Sequence, residues 1–126
     1  MKNNKKVAFY GSLRKGHYNY DRFKQQYGNE FNYIKTTNIS GFNLFDLGSY
    51  PGLKAARNNE NKVIVDIFEL SEKAFDSVER MEHGAGYSTI KVVDDETGEK
   101  VYCYLYEYPC NNLVESGDWS KHLELV

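Results

Sequence analysis

The chain has 126 residues, 16 Lys and Arg against 18 Asp and Glu, a formal charge of −2, and 15% aromatic residues with eleven tyrosines among them. That length fits one domain, residues 1–126, around a single hydrophobic core, and the aromatic content excludes a disordered chain. The near-balance of charge gives no electrostatic footprint for nucleic acid or an anionic membrane, and no apolar run approaches the ~18 residues of a membrane span or forms a signal-peptide core.

In chain order, KNNKK (Lys2 to Lys6) is a short basic start and reads as a solvated terminus. KVAFYGSL then opens on an apolar strand, Val7 to Tyr10, that stops at Gly11. A turn through Arg14 to Gly16 leads to a short helix, Asn19 to Gly28, with Tyr20, Phe23 and Tyr27 on one face and Gly28 as its stop. Strand candidates follow at Phe31 to Ile39 and Gly41 to Gly48. GSYPGL (Gly48 to Leu53) reads as a turn, because Pro51 is barred from a central strand position.

KVIVDIFEL (Lys62 to Leu70) is a β-branched strand. It runs into a helix with Ser71 as N-cap and Gly84 as the left-handed residue past its end. Ala74, Phe75, Val78 and Met81 recur there as a buried stripe. At about 100° per residue, position 82 falls roughly 20° from position 75, so Glu82 shares the face of Phe75 and Val78 while Glu79 lies nearer its edge. STIKVVDD and KVYCYLYEY, separated by ETG, form a hairpin (Ser88 to Tyr108). In its second strand Tyr102, Tyr104, Tyr106 and Tyr108 alternate with Val101, Cys103 and Leu105. Five to seven short strands, two modest helices and no regular strand–helix alternation predict a small mixed α+β domain with a curled or barrel-like sheet.

Cys103 and Cys110 have neither CxxC spacing nor a histidine partner set and read as reduced thiols of a cytoplasmic protein. The scattered His17, His83 and His122 support no metal centre. GSLRKG is no P-loop, since His17 and Tyr18 stand where Lys and Ser/Thr would be needed. Ser12 lies outside any GxSxG.

The strand-end turn Tyr10-Gly11-Ser12-Leu13 can bring successive N–H groups to an anion, or be an ordinary turn. Glu82 can be a helix-end carboxylate paired with Arg14 or Arg80. It can equally be a general acid/base, its pKa raised by lost hydration and by the negative end of the helix dipole. Gly84, Ala85 and Gly86 are small enough to leave room for a ligand beside it. Tyr10, Tyr50, Tyr87 and Tyr104 read as wall or core residues with hydroxyls reaching polar partners.

YGSL at Tyr10 to Leu13, SYPGL with Tyr50 to Leu53, Glu82 at a helix end before Tyr87, and GDW at Gly117 to Trp119 come in an order that resembles the γ-glutamylcyclotransferase-like family over essentially the whole chain. That family includes the γ-glutamylamine cyclotransferases and the plant avirulence-induced proteins. The resemblance implies a small distorted β-barrel with flanking helices and Glu82 as the catalytic acid/base. It also implies a substrate-holding site of Tyr10, Gly11, Ser12, Leu13, Tyr50 and Tyr87. The reaction it implies is cyclisation of a γ-glutamyl amine or peptide to 5-oxoproline, without metal or cofactor. One departure is that Glu82 is followed by His83 rather than glycine and reaches Tyr87 in five residues.

The partner expected is a small γ-glutamyl molecule, on a monomer or weak homodimer. A non-catalytic binding module on the same fold is the alternative, and a different amine-releasing or lactam-opening reaction is a third. The segment Asn111 to Val126 is expected to close the pocket or contact a neighbour.

Overall fold

The computed structural model describes residues 4–124. Lys2 and Asn3, at the start of the expected basic terminus, and Leu125 and Val126, at the end of the C-terminal segment, lie outside the described residues. The described strands and α-helices are β1 (Lys5–Phe9), α1 (Tyr18–Tyr27), β2 (Phe31–Ser40), β3 (Phe42–Asp46), β4 (Pro51–Ala55), β5 (Lys62–Leu70), α2 (Glu72–Gly84), β6 (Tyr87–Val93), β7 (Lys100–Tyr106), β8 (Leu113–Val114) and α3 (Trp119–Glu124), with a 3-10 turn at Gly28–Glu30 between α1 and β2. Lys5 and Lys6 are therefore strand residues rather than part of a solvated terminus. They pair with Leu70 and Glu69 of β5.

Five strands form one sheet in the order β2-β5-β1-β7-β6, and three form a second in the order β4-β3-β8. β1 is central in the first, antiparallel to β5 and parallel to β7, with Val7 facing Phe68 and Tyr102 on its two sides. Its run Val7-Ala8-Phe9 is buried throughout, as expected of a strand covered on both faces.

The architecture is mixed α+β, and the larger sheet curls without closing into a barrel ladder. Its free β2 edge meets the β6–β7 hairpin through side chains and one backbone bond. Lys35 Nζ lies 2.5 Å from Asp94 Oδ2, the Thr37 hydroxyl donates to Asp94, and Asp95 N–H donates to Asn38 O at 3.0 Å. Burial alone would raise the Asp94 pKa, but hydrogen bonds from Lys35, the Glu96 N–H, Thr37 and Thr97 outweigh it and hold it down at about 2. A depressed carboxylate stabilises the fold above its unfolded pKa and loses that contribution as pH falls through the folded value. Asp94→Asn is thus expected to flatten the loss of thermal stability between pH values of about 4 and 2, read from Tm against pH.

α1 presents Tyr20, Phe23 and Tyr27 to the core as its spacing predicts, with Phe23 buried and the tyrosines partly so. Phe9, Phe23, Phe31 and Phe68 form a continuous aromatic cluster, the Phe31 and Phe68 rings 4.6 Å apart. Each such ring contributes about 2 kcal/mol or more by leaving water.

α2 starts at Ser71, whose hydroxyl accepts the Ala74 N–H at 3.1 Å. Its end differs from expectation. Gly84 is still helical, Ala85 is the cap, and the left-handed residue is Gly86 at φ 96°. The helix therefore runs past Glu82, and the reversal into β6 needs only Ala85 and Gly86.

The GSYPGL segment is also more than a turn. Pro51 opens β4, an edge strand of the smaller sheet, where its missing N–H costs no ladder bond. β8 and α3 lie in the stretch to which the sequence assigned no element.

Candidate active site

Where β1 ends, the chain turns sharply. Arg14 N–H donates to Gly11 O at 2.9 Å, and the Ser12 carbonyl accepts the N–H groups of Asn19 and Tyr20, capping the start of α1. The Asn19 amide also donates to Ser12 Oγ at 2.7 Å. With its carbonyls thus directed at Arg14 and α1, the loop leaves the Gly11, Ser12 and Leu13 N–H groups without an acceptor among the described residues. Gly11 is required here by contact: an added Cβ would lie 2.8 and 2.9 Å from Pro51 Cγ and Cδ. Gly11→Ala is expected to destabilise the protein by about 1–3 kcal/mol through overpacking, read as a lower denaturant midpoint.

Beneath the loop lies a buried ionic cluster. Arg14, 8% exposed, sets its Nε 3.4 Å from Asp66 Oδ2 and donates through Nη1 to Asp118 Oδ1 at 2.9 Å. Asp66, 2% exposed, also accepts from the Lys15 N–H at 2.8 Å and the Thr36 hydroxyl at 2.7 Å. Around it, Gly117 O accepts the Ile64 N–H and Trp119 is buried. Asp118 of the GDW motif thus holds the loop through Arg14, and none of the described residues from 111 onward lines the adjoining cavity.

That cavity, of about 410 Å³, is walled by Tyr10, Gly11, Ser12, Leu13, Tyr50, Glu82 and Tyr87, together with Tyr18, Asn19, Met81, Ala85 and Tyr104. Its size suits a small molecule, for which ~300–1,000 Å³ is usual. The seven residues named from the sequence as acid/base and substrate-holding candidates line it, whereas of Gly84, Ala85 and Gly86, expected to leave room beside Glu82, only Ala85 does. Tyr18, Asn19 and Met81 were not singled out for it; Tyr18 is 79% exposed, and no local pattern marks such a residue as a cavity wall.

Glu82 is the sole carboxylate in this wall. It is only partly buried, yet it has neither a hydrogen-bond nor an ion-pair partner among the described residues, and Arg14 is engaged elsewhere. Burial, and then the Glu79 carboxylate nearby, push its pKa up to about 7.

Three phenols beside it are tied to other acceptors. Tyr10 donates to the Tyr104 carbonyl at 2.8 Å, Tyr87 to the Pro51 carbonyl at 2.6 Å, and Tyr104 to Glu79 Oε2 at 2.6 Å. Burial is the largest cause of the raised pKa of each. Cys103 is buried behind them, and burial pushes its thiol up to about 12. Chemically, the arrangement joins an unpaired carboxyl that exchanges protons near neutrality to a row of free backbone donors.

Among the described residues no three His, Cys, Asp or Glu side chains gather as metal ligands would, and no helix is long and apolar enough to cross a membrane.

The fold has solved counterparts. An uncharacterized protein of Pyrococcus horikoshii superposes with a TM-score of 0.75 at 22% identity, covering 95% of this chain and 94% of that one. A uropathogenic Escherichia coli-specific protein gives a TM-score of 0.80 at 19% identity, covering 98% of both chains. A γ-glutamyl cyclotransferase gives 0.61 at 13% identity, covering 88% of this chain and 69% of that one. At these identities the likeness shows the fold alone. No curated protein matches the sequence significantly. A family model does, the one described as "Gamma-glutamyl cyclotransferase, AIG2-like", over residues 7–121, from the first buried residue of β1 to the middle of α3. The match takes in the loop after β1, the end of α2 and the GDW segment together, and the chain belongs to the γ-glutamyl cyclotransferase, AIG2-like family.

Proposed function

We propose that this chain cyclises the γ-glutamyl group of a γ-glutamyl amine or peptide to 5-oxoproline and releases the amine, with Glu82 as general acid/base. The observation that carries this reading is the unpaired Glu82 carboxyl, with a pKa of about 7, sharing a cavity with the free N–H groups of Gly11 to Leu13. Family membership supports the reaction class.

The substrate holds both reacting groups, so the enzyme's main task is to fold the γ-glutamyl chain until its α-nitrogen lies against its own γ-carbonyl carbon. Ionised Glu82 takes one proton from the α-ammonium, freeing the lone pair that attacks. The new C–N bond closes the five-membered ring and pushes the carbonyl electrons onto oxygen. When the tetrahedral centre collapses, the bond to the departing nitrogen breaks and Glu82 returns its proton there. The second ammonium proton leaves the ring nitrogen and ends on the released amine, so no water is consumed and no cofactor is called for. The N–H groups of Gly11, Ser12 and Leu13 hold the substrate's α-carboxylate or the developing oxyanion. Tyr50 and Tyr87 wall the cavity around the leaving group.

The test is release of 5-oxoproline from a panel of γ-glutamyl dipeptides, γ-glutamylamines and glutathione. Release from at least one is expected, and the preferred member names the subclass. No release from any, with binding still measurable by calorimetry, would replace the enzyme with a binding module.

A further inference from the structure

Glu79 does not line the cavity, yet it controls what surrounds Glu82. One helical turn earlier on α2, its Oε2 accepts two short hydrogen bonds of 2.6 Å, from the Tyr104 hydroxyl and the Thr89 hydroxyl. His83 closes the cluster from outside, its Nε2 2.8 Å from Thr89 Oγ1 and 3.7 Å from Glu79 Oε1. Tyr104 bridges the two regions, since it lines the cavity and gives its hydroxyl to Glu79.

Of the cavity's three buried phenols, Tyr10 and Tyr87 are held by backbone carbonyls, and only Tyr104 is held by a side chain. Without that side chain the Tyr104 phenol has lost its acceptor in a residue that lines the same cavity as Glu82.

We infer that Glu79 is a positioning residue for Glu82: by holding the Tyr104 and Thr89 hydroxyls, and by placing a second carboxylate one turn away, it keeps the Glu82 carboxyl unpaired in the cavity wall. This rests on the reading of Glu82 as the acid/base. A hydrogen bond to the ionised form lowers a carboxyl pKa and a neighbouring like charge raises it, so both actions of Glu79 work in one direction. The groups that face the pair are His83 from α2, Thr89 and Tyr87 from β6, Tyr104 and Cys103 from β7, and Tyr10 beyond β1. Among these only His83 can bring positive charge, and it is exposed and does not line the cavity.

Two readouts test the inference together: the pH profile of kcat/KM for 5-oxoproline release, and the titration of the Glu82 side-chain carboxyl followed by ¹³C NMR, which needs no turnover. Glu79→Gln keeps an oxygen for Tyr104 but loses the charge, and the acid limb and the NMR midpoint are expected to move down by about one pH unit. Glu79→Ala also frees the phenol and is expected to move both further. Glu79→Asp, which restores the charge, is expected to recover most of the wild-type midpoint. A Glu79→Gln protein that melts as the wild type does, with its Glu82 midpoint unmoved, overturns the inference. Should Glu79→Gln fail to fold, Thr89→Val carries the test. It takes one donor from Glu79 and loosens the hold on that carboxylate, and a smaller downward move is expected; an unmoved midpoint again overturns the inference. Loss of the catalytic reading shows separately, as a Glu82→Gln enzyme that still turns over.

Discussion

Glu82→Gln is expected to cut 5-oxoproline release by about 10²- to 10⁴-fold, the usual contribution of a positioned acid/base, while leaving the fold intact. The amide matches the carboxyl in size and can neither take the ammonium proton nor supply one to the leaving nitrogen. Stability should change in the opposite sense. A carboxyl whose pKa rises from 4.5 in the unfolded chain to about 7 in the folded one stabilises the fold below the lower value and loses that contribution as pH rises through the higher. Above pH ~7 the wild type therefore carries a poorly hydrated anion that the variant lacks. Glu82→Gln is expected to be the more stable protein at pH 8, by about 1–2 kcal/mol after allowance for partial exposure, and the gain should vanish near pH 5. Steady-state rates and paired denaturant curves at the two pH values check both halves. Glu79→Gln is expected to keep most of its activity at optimal pH; a dead Glu79→Gln enzyme beside an active Glu82→Gln enzyme would move the proton transfer to Glu79.

The second large effect is expected at the loop's foundation. Asp66→Ala and Arg14→Ala should each destabilise the protein by about 3–5 kcal/mol, because the first leaves the buried guanidinium with Asp118 alone and the second leaves the buried Asp66 carboxylate without its cation. Asp66 does more than pair with Arg14: it receives the Lys15 N–H and the Thr36 hydroxyl, tying the turn after β1 to β2. Arg14 reaches the opposite way, to Asp118. Its Nε is buried without a hydrogen bond, since 3.4 Å from Asp66 is an ion-pair contact rather than a good donor geometry. The guanidinium is therefore already poorly satisfied, which leaves the pair sensitive to any loss. Chemical denaturation of both variants and of the double variant checks this, and the double variant should cost less than the sum, as expected of groups in contact. Substrate affinity should fall with stability, since the N–H groups of Gly11 to Leu13 lose what orients them.

How far the sequence foretells this protein depends on the range of the interaction involved. α2 was legible because its determinants are local: Ser71 caps it, Ala74 and Val78 recur on one face, and that phase turns Glu82 rather than Glu79 toward the cavity. β1, β5 and α1 were legible for the same reason, through apolar runs and a helical face. β4 was misread as a turn because a proline-led strand is stable only as an edge, and β3, its partner, lies beyond a turn whose outcome no local pattern dictates. β8 and α3 went unassigned because two paired residues and six helical ones cannot hold their shape alone. They exist through Trp119 in the core, Leu44 opposite Val114, and His122 against Asp46.

The site divides along the same line. Helical phase put Glu82 on an inward face and turn chemistry marked Tyr10 to Leu13, both read from nearby residues, while the family resemblance implied their roles and added Tyr50 and Tyr87. Only the tertiary structure decided that Arg14 pairs with Asp66 and Asp118 instead of Glu82, and that Glu79 and two backbone carbonyls take the phenols, leaving Glu82 unpaired. Spacing along a chain sets which face a side chain is on. Which partner it finds there depends on groups brought close by folding, from as far as 104 residues away in the case of Arg14 and Asp118.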